Sequence, residues 1–224
     1  NMRSLIFPLS LLLSPLAVAE GTIANSDDEQ NLSLKLDYDI HLTNGSSNVN
    51  LAVINEQTGE VNISVINADD DSYLAEVQTL LHEQGANAFT RVNCDSFKKM
   101  IPQEARSVIN DNGHKEYSFK PIPDADDDPE VFENLTGVAE LSHAANNVLR
   151  ITLSNEAAFS PSFGSSISRL SFDIECLPVA DTVTVLKKYN LLIQGSAFWV
   201  PFEERIERTY TNYRPSSSSS IEQK

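Results

Sequence analysis

The feature that most constrains this chain is a strict alternation near its start. Leu32, Leu34, Leu36, Tyr38, Ile40 and Leu42 interleave with Ser33, Lys35, Asp37, Asp39, His41 and Thr43. A helix would scatter those apolar side chains around all its sides. An extended strand sends successive side chains to opposite faces, so residues 32–43 are expected to form a long strand with one dry face and one wet face. Asn44-Gly45-Ser46-Ser47 then makes a turn, Val49, Leu51 and Val53 alternate, Glu56-Gln57-Thr58-Gly59 turns again, and Val61, Ile63 and Val65 alternate. Three antiparallel strands in a meander are the expected opening of the fold.

The period then changes. Leu74, Val77, Leu80 and Leu81 recur at helical spacing after Asp69-Asp70-Asp71, with Gly85 where a helix ends. This predicts a helix over about 73–84. A second, weaker helix is expected over 102–110, with Pro102 at its first position and Asn112-Gly113 past its end. The rest reads as strands at 89–94, 116–120, 148–153, 170–174, 182–186, 189–200 and 206–213. Cys176 is expected on the wet side of its strand unless a bulge intervenes. Trp199, among Phe198, Val200 and Phe202, reads as core or a strand edge. Nine or ten strands with one or two short helices predict a mainly all-β fold, an antiparallel β-sandwich with the helices inserted after the first three strands. One domain is expected over 32–213. A flexible acidic segment precedes it at 20–31, and a disordered Ser-rich tail follows at 214–224.

Residues 1–19 have the pattern of a secretory signal peptide: Arg3, an apolar run from Leu5 to Leu16, then Ala17-Val18-Ala19. The run falls short of the roughly 20 residues a membrane-spanning helix needs, and Pro8 and Pro15 interrupt it. No later stretch reaches that length, so the mature chain is expected to have no transmembrane segment and to be periplasmic or extracellular. Export places Cys94 and Cys176, the two cysteines, in an oxidising space where they are expected to form a disulfide.

Charge removes whole classes of partner. Sixteen basic residues stand against 32 acidic ones, a net charge of −16. Such a surface repels nucleic acid and anionic membrane faces.

Catalytic patterns are weak. Gly164-Ser165-Ser166-Ile167-Ser168 lacks the second glycine of a nucleophile elbow and precedes a strand where the elbow needs a helix. His41, His82, His114 and His143 stand singly, and His82-Glu83 lacks a second histidine four residues on. The strongest cofactor signal is calcium: Asp124, Asp126 and Asp128 present carboxylates at alternate positions, as a hard cation prefers. Pro129 and Leu135 occupy the places where an EF-hand needs glycine and glutamate. Tyr210 and Tyr213 are candidates for a small aromatic platform facing a glycan or protein partner. Four Asn-x-Ser/Thr sequons, at Asn31, Asn44, Asn62 and Asn134, are close to the chance number.

The resulting expectation is an exported, non-enzymatic binding or assembly protein at or near the cell surface. Strand 32–43 would pair with a neighbouring subunit if it lay at a sheet edge. The alternative is a secreted hydrolase using scattered carboxylates, with calcium assisting.

Overall fold

A computed structural model describes residues 35–56, 60–123 and 128–216. Ten strands are present: β1 (Leu36–Thr43), β2 (Asn48–Asn55), β3 (Val61–Ala68), β4 (Ser107–Ile109), β5 (Lys115–Phe119), β6 (Leu135–Leu141), β7 (Val148–Asn155), β8 (Ser165–Ala180), β9 (Val183–Ala197) and β10 (Val200–Pro215). The fold is mainly β, as the alternating patterns predict. All ten strands hydrogen-bond into one antiparallel sheet, in the order β3-β2-β1-β10-β9-β8-β7-β6-β5-β4. A second sheet, which the sandwich expectation requires, is not found among the described residues.

The opening hairpins follow their pattern closely. Tyr38 lies opposite Val53, Ile40 opposite Leu51 and Leu42 opposite Val49, and all six side chains are buried. Leu32 and Leu34, at the start of the expected strand, lie outside the described residues. On the opposite face the sheet carries paired charges. Arg150 donates to both carboxylate oxygens of Asp173 at 2.9 Å, and Lys187 lies 3.2 Å from Glu175. Such cross-strand pairs on a wet face contribute a few tenths of a kcal/mol to about 1 kcal/mol each.

Every neighbouring pair in the sheet except β1–β10 is consecutive in the chain. β3 and β4 are also consecutive, yet they form opposite edges. Their connection must therefore cross the whole sheet, and it does so over the dry face. It contains α1 (Asp71–Gln84), capped by the Asp70 carboxylate accepting the Tyr73 N–H at 2.8 Å, then α2 (Asn87–Thr90) and a 3₁₀ helix, Cys94–Met100. Residues 88–95 are pinned to successive strands. The Tyr38 hydroxyl on β1 donates to the Phe89 carbonyl at 3.0 Å, and Arg208 on β10 donates to the Ala88 carbonyl at 3.1 Å. On β9, the Leu186 N–H donates to the Val92 carbonyl at 2.8 Å and Val185 bridges to Asn93. Cys94 is bonded to Cys176 on β8, and the Val148 N–H on β7 donates to Asp95 at 3.4 Å. Phe89, Cys94, Phe97 and Met100 from this strap complete the core.

Four local expectations are corrected. Residues 89–94 are not a strand, because the strap runs across the strands and so only Asn93 meets a strand in β geometry. Residues 102–110 are not a helix. Asn110 to Gly113 instead turn the β4–β5 hairpin, with Asn110 N–H donating to the His114 carbonyl at 2.9 Å and Gly113 at φ 77°. Cys176 is buried on the dry side (9 % exposed), sharing parity with Leu170 and Ile174. The bulge at this point adds its extra residue to β9, since Glu175 pairs with Lys188 and Cys176 with Leu186. Finally, Arg214 and Pro215 belong to β10, and the Ser216 N–H donates to the Lys35 carbonyl at 3.0 Å. The chain is thus held three residues into the segment expected to be a disordered tail.

Candidate functional site

Of the three acidic residues singled out for calcium, Asp128 alone is among the described residues. Asp124 and Asp126 lie outside those residues. Asp128 caps α3 (Pro129–Phe132), its carboxylate accepting the Glu130 N–H at 2.9 Å. Asp69 accepts the Asn48 backbone N–H at 2.6 Å and its side-chain amide at 2.7 Å, and these bonds hold its carboxyl below the ordinary range. Asp70 is the cap of α1. Asp69, Asp70 and Asp128 therefore cap turns and helix starts. No group of three or more His, Cys, Asp and Glu side chains converges as a metal site among the described residues.

Tyr210 and Tyr213 do not make an exposed platform. Tyr210 is buried, and its ring centroid lies 6.1 Å from that of Tyr38. Tyr213 packs 5.2 Å from Tyr38 and donates its hydroxyl to the Leu186 carbonyl at 2.6 Å. The cause is an irregularity in the β1–β10 pairing: Asp37 lies opposite Arg214 but Asp39 opposite Thr211. Two β10 residues, Asn212 and Tyr213, therefore oppose the single β1 residue Tyr38; the one extra residue makes a bulge, and the tyrosine turns back onto the core. Burial pushes the Tyr38, Tyr189, Tyr210 and Tyr213 hydroxyls above the ordinary tyrosine range.

A cleft of about 390 Å³ opens between α1, α2 and the β1–β10 part of the sheet. Its apolar lining includes Leu42, Val77, Phe89 and Ile206; Glu76, Glu204 and Arg208 are among its charged groups, and Glu203 and Arg205 stand at its rim. Alternation along β10 explains the charges. Glu204, Ile206 and Arg208 share the dry side, whereas Glu203 points to the wet side and accepts from Gln194 at 2.8 Å. Desolvation raises the pKa of half-buried Glu204. Arg208 is held against two rings, its guanidinium carbon 5.1 Å from the Phe89 centroid and 5.3 Å from that of Tyr189.

The condition under which strand 32–43 would pair with a neighbouring subunit is not met: β1 is paired on both sides, with β2 and β10. The edges belong to β3 and β4. β4 has three residues, but β3 has eight, Val61 to Ala68, with no charge and no proline. Val65 and Ile66 on β3 are exposed large hydrophobics. β2 beside it is also free of charge, in a chain carrying 16 basic and 32 acidic residues. The devices that usually keep an edge strand from pairing are charges, proline and shortness; here one irregularity at Ile66 is present and those three are missing. Sequence reasoning identified β3 as a strand but not as an edge. That depends on which strand reaches β1 from the far end of the chain.

The chain matches no protein-family model, no curated protein and no solved structure. Among the described residues, no helix is long and apolar enough to cross a membrane.

Proposed function

We propose that this is an exported, non-enzymatic binding and assembly protein, and that its assembly surface is the outer edge of β3. One observation carries the reading: an eight-residue uncharged strand whose outer side pairs with no other strand among the described residues is a template for strand addition. A second copy presents the same strand, so β3 against β3 about a two-fold axis gives a closed antiparallel dimer. The Cys94–Cys176 disulfide is compatible with the oxidising compartment that the leader at 1–19 predicts. Light scattering on the purified mature protein tests the reading. Mass is expected to rise with concentration towards twice the monomer value, and the double variant Val65→Lys/Ile66→Lys to stay monomeric. A wild-type protein that remains monomeric across that range contradicts it.

A second reading, a carboxylate-dependent hydrolase, is favoured by one observation: Glu204 sits in the cleft with its proton affinity raised by burial, as a general acid requires. Turnover of chromogenic glycosides that is lost in Glu204→Gln would support it; no turnover in the native protein removes it.

A further inference from the structure

The β9–β10 hairpin turns on two residues, Phe198 and Trp199, with Ala197 paired to Val200 on either side. Both have positive φ, 49° and 65°. A two-residue turn of this kind ordinarily uses Asn-Gly, because bulky L-residues are disfavoured in the left-handed region. Phe198 leans on neighbouring Gly164, where a Cβ would come within 2.7 Å of its ring, and its N–H donates to the Gly164 carbonyl at 2.7 Å. Gly164 in turn follows Phe163. The same end of the sheet thus presents Phe163 at 97 % exposure and Trp199 at 92 %, flanked by Val200 at 66 %. An observed backbone outlier that holds large aromatics out in water calls for a use.

Charge identifies what the tip meets. Residues 157–168 and 195–202, the two segments that build this end, contain no charged side chain, although the chain as a whole carries −16. The end is rich in serine, with Ser160, Ser162, Ser165, Ser166 and Ser196 around the aromatics. An acidic or basic protein partner would find no complement there, and the net negative body is repelled by anionic lipid. The apolar area on offer, on the order of 500 Å², also falls below the roughly 800 Å² that each side of a stable protein interface contributes. A pointed, uncharged tip of Trp and Phe suits the headgroup zone of a neutral bilayer, where aromatic side chains concentrate and no complementary shape is needed. We propose that Phe163, Phe198 and Trp199 form an anchor that inserts reversibly into an electrically neutral phospholipid interface. This is independent of β3, which lies at the sheet edge three strands away from β10 and outside both segments.

Trp199 is the single tryptophan of the chain, so its emission reports the tip alone. Mature protein is titrated with phosphatidylcholine vesicles. The expected result is a blue-shifted emission, quenched by brominated acyl chains and insensitive to added salt. Phe163→Ser, at a site too exposed to disturb the fold, is expected to weaken vesicle binding about tenfold, the order set by removing one phenyl ring from an apolar phase. Emission unchanged by vesicles overturns the proposal. So does a blue shift that appears with protein concentration in the absence of lipid, which would mark the tip as a contact between copies. Vesicle binding of undiminished strength in Phe163→Ser likewise removes the tip as the inserted element.

Discussion

The Tyr38 hydroxyl donates to the backbone carbonyl of Phe89, 3.0 Å away and 51 residues later in the chain. Both side chains are almost wholly buried. This bond fixes the point at which the strap first reaches the middle of the sheet. Tyr38→Phe leaves the Phe89 carbonyl without its partner in a dry setting, which costs about 1–2 kcal/mol. Urea unfolding of the variant is expected to show a lower midpoint with an unchanged slope.

Five residues further along, the Cys94–Cys176 disulfide ties the strap to β8, closing a separation of 82 residues. Loop-closure entropy assigns such a link about 4–5 kcal/mol. Reduction is expected to lower the unfolding free energy by about that amount, with a lower denaturation midpoint, and to speed amide exchange across residues 88–95 ahead of the β-sheet core. A midpoint unaffected by reductant would show that the sheet does not depend on this staple.

Two glycines separate steric from conformational need. A Cβ at Gly195 would collide with the Ser166 backbone carbonyl and the Phe202 ring, whereas one at Gly113 would meet nothing within 4 Å. Gly195→Ala is expected to destabilise by at least 1–3 kcal/mol, roughly the range for overpacking. Gly113→Ala carries only the left-handed backbone cost, about 1–2 kcal/mol. Paired urea titrations check the order of the two.

The buried tyrosines make the fold sensitive to alkali. In Tyr38, Tyr189, Tyr210 and Tyr213 the folded state holds the phenolic proton more tightly than the unfolded chain does. At high pH the unfolded chain therefore binds fewer protons than the native state, and stability falls as pH rises. The contribution is fully present below the ordinary tyrosine value of about 10 and is lost as pH climbs through the higher folded values. Tyrosinate absorbance is expected to appear together with unfolding. Gradual ionisation of all six tyrosines near the ordinary value, with the fold intact, would contradict their burial.

Much of the β1–β3 meander was legible because alternation is local. Tyr38, Ile40 and Leu42 lie on the dry face that their spacing predicts, and the Cys94–Cys176 pairing follows from there being two cysteines. The strap was misread because its apolar residues, Phe89 among them, face a sheet that runs across their path, and no period in the segment records that direction. Trp199 reads as core or a strand edge because neither it nor Phe198 has turn chemistry, and Phe198 is held in the turn by contacts with Gly164, which is distant in sequence. Which strand is an edge is likewise a long-range fact. It depends on β10 reaching β1 from the other end of the chain, which leaves β3 rather than β1 at the edge.

Concentration-dependent hydrogen exchange of the β3 amides tests the central claim most directly. Val61 to Ala68 have one set of N–H groups bonded to β2 and an alternating set turned outward. Strand addition predicts that the outward set gains protection as the protein is concentrated, and that Val65→Lys/Ile66→Lys abolishes the gain while the inward set stays protected. Outward amides that exchange equally fast in dilute and concentrated samples would contradict an assembly role for this edge.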